Sequence, residues 1–86
     1  MTVTFYGNIT EYTKGDKTFT PNAHSILRDL LDELVSFYGE QFESFLNGSE
    51  TCLILVNGTG IALSGGLDSP LDQGDKIDIL PFVDAG

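Results

Sequence analysis

Residue types that often carry catalytic or metal chemistry are scarce in this 86-residue chain. It has one cysteine, one histidine and no tryptophan, so an internal disulfide is excluded and no cluster of metal ligands can be assembled around the histidine. His24 and Cys52 lie far apart in the sequence and suggest no nucleophile–base pair. We expect His24 at the polar entry to a helix and Cys52 as a small buried hydrophobe. The chain is therefore not expected to be an enzyme on its own.

Basic residues and long apolar runs are also few. Four basic residues stand against 13 acidic ones, which gives a formal net charge of −9. This field repels phosphate backbones, so we expect no nucleic-acid partner, and it attracts a protein with a basic face. The alternative is that the acidity only favours solubility. No run approaches the ~20 apolar residues of a membrane span, and the N-terminal residues do not resemble a signal peptide. The sequence predicts a cytoplasmic location and no membrane partner.

The first half of the chain contains strand and helix patterns in turn. Alternation of Val3 and Phe5 with polar residues predicts a first strand. A weaker second strand is predicted at residues 11–13 or 17–20, on one side or the other of the turn at residues 14–16. The result is a bent hairpin.

One amphipathic helix stands out. Leucine, isoleucine and valine recur at spacings of three and four over residues 25–38, with charged residues on the opposite face. Ser25 is a good N-cap residue and Gly39 a natural stop. Residues 41–46 can form a short helical turn after it.

The second half of the chain reads mainly as strands and turns. The apolar run at residues 52–56 predicts a strand, Asn57-Gly58 a hairpin turn, and residues 61–63 the returning strand. Leu67 and Leu71 are expected to be buried anchors. A turn at residues 72–75 leads into a last strand at residues 76–80.

Proline at position 81 should end the pairing of that last strand, because it has no N–H to donate. A single helix covers one face of the resulting sheet. The predicted fold class is α+β, a roll in which a mixed sheet packs on one main helix.

Three segments near the C-terminus resemble the molybdopterin synthase small subunit and thiamine sulfur carrier family (MoaD/ThiS). They are Val56-Asn57-Gly58, Leu67-Asp68-Ser69-Pro70-Leu71 and Gly74-Asp75-Lys76-Ile77-Asp78-Ile79-Leu80-Pro81. The resemblance implies the ubiquitin-like β-grasp fold. It implies a domain at residues 1–81 and a flexible C-terminal tail at residues 82–86.

The resemblance also implies a function. In this family, an ATP-dependent adenylating (E1-like) enzyme activates the carboxylate of a terminal glycine, here Gly86. Sulfur then replaces AMP to give a thiocarboxylate, which supplies sulfur to the molybdopterin synthase large subunit or an equivalent acceptor in molybdopterin, tungstopterin or thiamine synthesis. The carrier itself is expected to bind no cofactor, since the ATP is used by the activating enzyme. The expected partner-binding residues are Leu80, Pro81, Phe82, Val83, Asp84 and Ala85.

The penultimate residue departs from the family pattern. The family usually ends in Gly-Gly, whereas this sequence has Ala85 before Gly86. The added methyl group restricts the backbone in a tight channel. Ala85 therefore leaves open an interaction module that has lost carrier chemistry. A ubiquitin-like protein modifier conjugated through Gly86 is a further alternative, because it would use the same adenylated end.

A docking surface is predicted beside the last strand. The strand at residues 52–56 is apolar at every position, so both of its faces are apolar, and Leu80 and Phe82 can extend the outer one. The alternative is that residues 41–46 fold over this face. Four aspartates at positions 68, 72, 75 and 78 lack the calcium-loop pattern and are expected to be solvated turn carboxylates.

Overall fold

Five strands form one mixed sheet in the computed structural model, which describes residues 1–47, 52–61 and 65–81. The strands are β1 (Thr2–Phe5), β2 (Thr18–Phe19), β3 (Cys52–Val56), β4 (Thr59–Gly60) and β5 (Lys76–Pro81). Their order across the sheet is β2-β1-β5-β3-β4. The central pair, β1 and β5, is parallel, and the other pairs are antiparallel. The predicted α+β class with a mixed sheet is confirmed.

One face of the sheet forms the floor of the core. Because side chains alternate along a strand, β1, β5 and β3 each send two apolar residues to this face. The register places these residues side by side: Val3 pairs with Ile77, and Ile79 pairs with both Phe5 and Ile54. All of them are buried.

Two consecutive helices cover this floor. Helix α1 (Leu27–Tyr38) buries four leucines at the predicted helical spacing: Leu27, Leu30, Leu31 and Leu34. It ends at Gly39, whose φ of 96° suits glycine and whose N–H donates to the carbonyl of Val35 at 2.8 Å. Helix α2 (Glu40–Asn47) follows at once and is longer than the single turn predicted. Its Phe42 is fully buried, with its ring centroid 6.0 Å from that of Phe5.

The predicted N-cap of α1 at Ser25 is wrong. The helix begins at Leu27, and the N-cap position is the extended residue Ile26, which makes no side-chain cap. The N–H of Leu27 instead donates to the carbonyl of Ser69 at 3.0 Å, and the N–H of Leu71 donates to the carbonyl of Ser25 at 2.9 Å. A backbone segment distant in sequence thus satisfies the first helical donor, which makes a side-chain cap unnecessary.

The second strand occupies the later of the two predicted segments. Residues Thr18–Phe19 pair with β1, whereas Gly7–Glu11 form a 3-10 helix. The alternative placement at residues 11–13 is wrong, because the chain there turns through hydrogen bonds from Tyr12 and Thr13 back to residues 9 and 10.

The Asn57-Gly58 hairpin is confirmed, but its return strand is shifted. Both turn residues have positive φ, 52° and 84°, as a two-residue type I′ turn requires. Such a turn lets pairing resume immediately, so Thr59 pairs with Val56. The predicted strand at residues 61–63 is therefore wrong at Ile61, which follows β4, and its other two residues lie outside the described part of the chain.

Two further expectations change near the last strand. Leu71 is buried as predicted, but Leu67 is 43% exposed because the 3-10 helix Gly66–Asp68 lies on the surface. The last strand does not end before Pro81. Pro81 is the last residue of β5 and lies opposite Cys52 on β3. Proline is tolerated at this place because a terminal strand position needs no further N–H donor.

Candidate functional site

The candidate site lies at the end of β5. This strand runs between β1 and β3, and its last two residues, Leu80 and Pro81, are half-buried opposite Leu53 and Cys52. The predicted site residues Phe82, Val83, Asp84, Ala85 and Gly86 lie outside the described residues. Five residues span at most about 18 Å, which bounds the distance from Pro81 to the Gly86 carboxylate.

The last residue of β5 lies beside Gly7, the first residue of the 3-10 helix that follows β1. Gly7 has a φ of 63°, and a Cβ built on it would lie 3.0 Å from Cγ of Pro81. Next to it, the N–H of Tyr6 donates to the carbonyl of Ile79 at 3.1 Å. This close approach fixes Pro81 against the end of β1, and only glycine allows it without displacing the proline ring.

The outer face of the sheet, opposite the helices, carries an apolar patch made of Leu53, Leu55 and Leu80. Leu53 and Leu80 are directly opposed across the β3–β5 pair, and Leu53 is 43% exposed. The alternative in which residues 41–46 cover this patch is wrong, because Phe42 of α2 is buried in the core on the other face. Both faces of β3 are apolar, as predicted.

One carboxylate lies within this outer face. Asp78 faces Leu55 on β3 and Thr4 on β1, and it is buried. The hydroxyl of Tyr6 donates to its Oδ1 at 3.2 Å. The prediction of a solvated turn carboxylate is wrong for Asp78, because it occupies the centre of β5. A polar residue between the two core isoleucines 77 and 79 was the sequence signal for an outward-facing position.

Two of the segments that resemble the MoaD/ThiS family are joined by side-chain hydrogen bonds at the start of β5. We call this group, formed by Asn57 and Asp75, the clamp. Asn57 donates through Nδ2 to Oδ1 of Asp75 at 2.9 Å, and its Oδ1 accepts from the N–H of Lys76 at 2.9 Å. Oδ2 of Asp75 also accepts from the N–H of Asp72 at 2.8 Å. The Asn57 bond, followed by the Asp72 bond, lowers the pKa of the Asp75 carboxyl below its ordinary value. This part of the sequence pattern is thus structural.

His24 and Cys52 have local partners. His24 Nε2 lies 2.5 Å from Oε1 of Glu33, which joins the entry segment to α1. Cys52 is partly buried against the core, its Sγ lies 3.9 Å from the carbonyl oxygen of Leu46, and burial raises its thiol pKa. Within residues 1–47, 52–61 and 65–81, no three histidine, cysteine or carboxylate side chains are grouped to hold a metal ion.

The helices give no sign of a membrane span. Neither α1 nor α2, nor any other helix in the described segments, combines the length and apolar character needed to cross a bilayer.

Comparison with known proteins supports one family. No curated protein sequence matches the chain. Among solved structures, CysO of Mycobacterium tuberculosis has 26% sequence identity and a TM-score of 0.81, covering 95% of this chain and 98% of that one. The small archaeal modifier protein 1 of Methanosarcina acetivorans has 26% identity and a TM-score of 0.78, covering 99% and 94% of the two chains.

A third structure is the complex of subunits 1 and 2 of molybdopterin-converting factor from Helicobacter pylori. Its matched chain has 26% sequence identity to this one and a TM-score of 0.62, and the match covers 99% of this chain and 96% of that one. These neighbours confirm the predicted ubiquitin-like β-grasp fold. The ThiS family model matches residues 3–86, so the chain belongs to the ThiS family of ubiquitin-like proteins.

Proposed function

We propose that this chain is a sulfur carrier whose Gly86 carboxylate is adenylated and converted to a thiocarboxylate. The observation that carries the proposal is the family match, which extends from residue 3 through the sequence up to residue 86. The fold adds a firm base for such chemistry, because β5 pairs with β1 up to Ile79 and with β3 up to Pro81.

The proposed chemistry takes place in two steps on a partner enzyme. A Gly86 carboxylate oxygen attacks the α-phosphorus of ATP and pyrophosphate leaves, which gives a mixed anhydride with AMP. A sulfide-level nucleophile then attacks the carbonyl carbon and AMP leaves, so a C–S bond replaces a C–O bond with no change in oxidation state. In this proposal the chain binds no cofactor and is not itself an enzyme.

The proposed partners are proteins. An E1-like adenylating enzyme would activate Gly86, and the large subunit of a molybdopterin synthase, or an equivalent acceptor in tungstopterin or thiamine synthesis, would receive the sulfur. The H. pylori structure, a complex of two subunits of molybdopterin-converting factor, supports a protein acceptor. We place this system in the cytoplasm and assign the contact to Leu80, Pro81 and the residues from Phe82 to Ala85.

Incubation with ATP and the ThiS-family activating enzyme of the same genome tests this function. Intact-mass spectrometry should show the mass of an added AMP moiety on the chain, and deletion of Gly86 should abolish it. Ala85→Gly restores the usual family ending, so it should adenylate at least as fast as the natural chain. A chain that binds the enzyme with ATP present and gains no adenylate would exclude carriage and favour an interaction module.

A second candidate function is protein modification. It is favoured by the likeness to a small archaeal modifier protein over 99% of this chain. Both functions begin with the same adenylate and diverge when a lysine amine rather than a sulfur nucleophile attacks it. Immunoblots of cells expressing the tagged chain distinguish them, because only conjugation gives a ladder of larger, thiol-resistant species.

A further inference from the structure

The outer face of the sheet combines an apolar patch with a carboxylate, that of Asp78, which forms no ion pair with any described residue. Asp78 neighbours Leu55 across the β3–β5 pair, and Leu80 lies two residues further along β5 on the same face. Cross-strand neighbours on one face have Cβ atoms about 5 Å apart, so the carboxylate lies at the margin of the patch. A protein that covers the leucines must also cover Asp78.

The Asp78 carboxylate is only partly satisfied. Its side-chain donor is the neutral hydroxyl of Tyr6 at 3.2 Å, a long O–H···O bond. In the described part of the chain, no lysine or arginine nitrogen lies within 4.0 Å of it. Lys76 is two residues away on the same strand, but it is exposed and forms no ion pair with Asp78. A carboxylate accepts up to four hydrogen bonds, so capacity remains.

A protein that docks on the patch would remove water from the Asp78 carboxylate. Removing the last water from an ionised carboxylate is costly unless a donor replaces it, and a cation is the best replacement. A guanidinium fits better than an ammonium, because its planar fork delivers two N–H groups to one carboxylate and its flat faces pack on apolar side chains. The net charge of −9 also attracts a cationic partner and opposes a second copy of this chain.

We propose that the activating enzyme docks on this outer face with an arginine that pairs with Asp78 while apolar side chains cover Leu53, Leu55 and Leu80. The assignment of the occupant rests on the proposed function. Asp78 acts as a specificity residue: a partner surface that is apolar but lacks the cation would bury an unpaired charge. The Tyr6 hydroxyl orients the carboxylate for this contact.

The test compares variants that remove the charge of Asp78, with or without a similar side-chain shape, and a variant that removes a charge elsewhere. Binding of the purified ThiS-family activating enzyme is measured by calorimetry for the natural chain, Asp78→Asn and Asp78→Leu. The control Asp32→Asn removes the same charge from an exposed position on α1, on the other side of the sheet. Loss of one partner of a desolvated charge pair should weaken binding roughly thirtyfold or more for both Asp78 variants, with little effect for the control. Circular dichroism verifies that each variant is folded.

Several outcomes would overturn the proposal. Purely apolar docking predicts that Asp78→Leu binds as well as the natural chain or more tightly, and unchanged affinity of Asp78→Asn would exclude the cation. Self-association of the natural chain, abolished by Leu53→Asp, would assign the face to a second copy. Absence of any binding by the natural chain would also refute it.

The adenylation readout separates this proposal from the proposed function. If binding depends on Asp78 but no adenylate forms on Gly86, the docking surface stands and carriage fails. If adenylation proceeds and Asp78→Asn binds as the natural chain does, carriage stands and the role of Asp78 fails.

Discussion

Substitution of Gly7 by alanine tests whether the end of β5 is held by close contact with the segment after β1. Two costs arise from the structure. An L-residue at a φ of 63° costs about 1–2 kcal/mol. The new Cβ, 3.0 Å from Cγ of Pro81, adds an overpacking cost of roughly 1–3 kcal/mol because a proline ring cannot rotate away.

Gly15→Ala provides the matched control. Gly15 also has positive φ, 84°, but a Cβ there meets nothing within 4 Å, so only the backbone cost applies. Gly7→Ala should therefore be less stable than Gly15→Ala by about 2 kcal/mol, which lowers the melting temperature by a further ~8–16 °C for a domain of this size. The assay is thermal and urea denaturation followed by circular dichroism.

The double variant Gly7→Ala/Pro81→Ala, compared with its two single variants, forms a double-mutant cycle that measures the coupling between these positions. Trimming the ring removes the clash, so the two substitutions should couple favourably by about 1–3 kcal/mol. Gly7→Ala should also slow adenylation of Gly86, since Pro81 must move. Equal stability of the Gly7 and Gly15 variants, or additive effects in the cycle, would refute the contact with Pro81.

Three further predictions follow from the core, the clamp and the thiol. Phe42→Ala should cost about 3–5 kcal/mol of unfolding free energy by urea titration, because the ring is fully buried against Phe5; a loss below 1 kcal/mol, or one matched by the exposed-site control Ser44→Ala, would contradict this packing. The pKa of Asp75 lies below its ordinary 3.8, so its stabilisation is full above about pH 4 and is lost as pH falls through the lowered pKa. Asp75→Asn should lower the melting temperature at pH 7 and flatten its decline in acid; an unchanged acid profile would argue against the clamp. Burial raises the pKa of Cys52, so iodoacetamide at pH 8 should alkylate it more slowly than free N-acetylcysteine until urea is added; equal rates in the absence of urea would show an accessible thiol.

Local patterns predicted the parts of the fold that depend on burial. Alternation gave β1, the spacing of the leucines gave α1, and the Asn57-Gly58 pair gave the hairpin. These signals are local because each element must bury one stripe or face of its own side chains. The MoaD/ThiS resemblance added the ubiquitin-like β-grasp fold, which the neighbouring structures confirm.

Contacts between segments that are distant in sequence account for the wrong predictions. Ser25 is not the cap because the carbonyl of Ser69, 44 positions later, accepts from the first helical N–H. Leu67 is exposed because its 3-10 helix lies on the surface, and Asp78 is buried because its strand lies between two others. Neither placement can be read from local sequence. Of the predicted site residues, Leu80 lies in β5 as expected, whereas Pro81 is the last residue of the strand rather than the residue that ends it.

The proposed function requires that Gly86 carry activated sulfur. Its most direct measurement is tandem mass spectrometry of the C-terminal peptide after incubation of the full chain with ATP, the activating enzyme and a sulfide source. We expect the peptide to gain the mass difference between sulfur and oxygen, located on Gly86. An unmodified Gly86 under conditions in which the enzyme consumes ATP with this chain would contradict it.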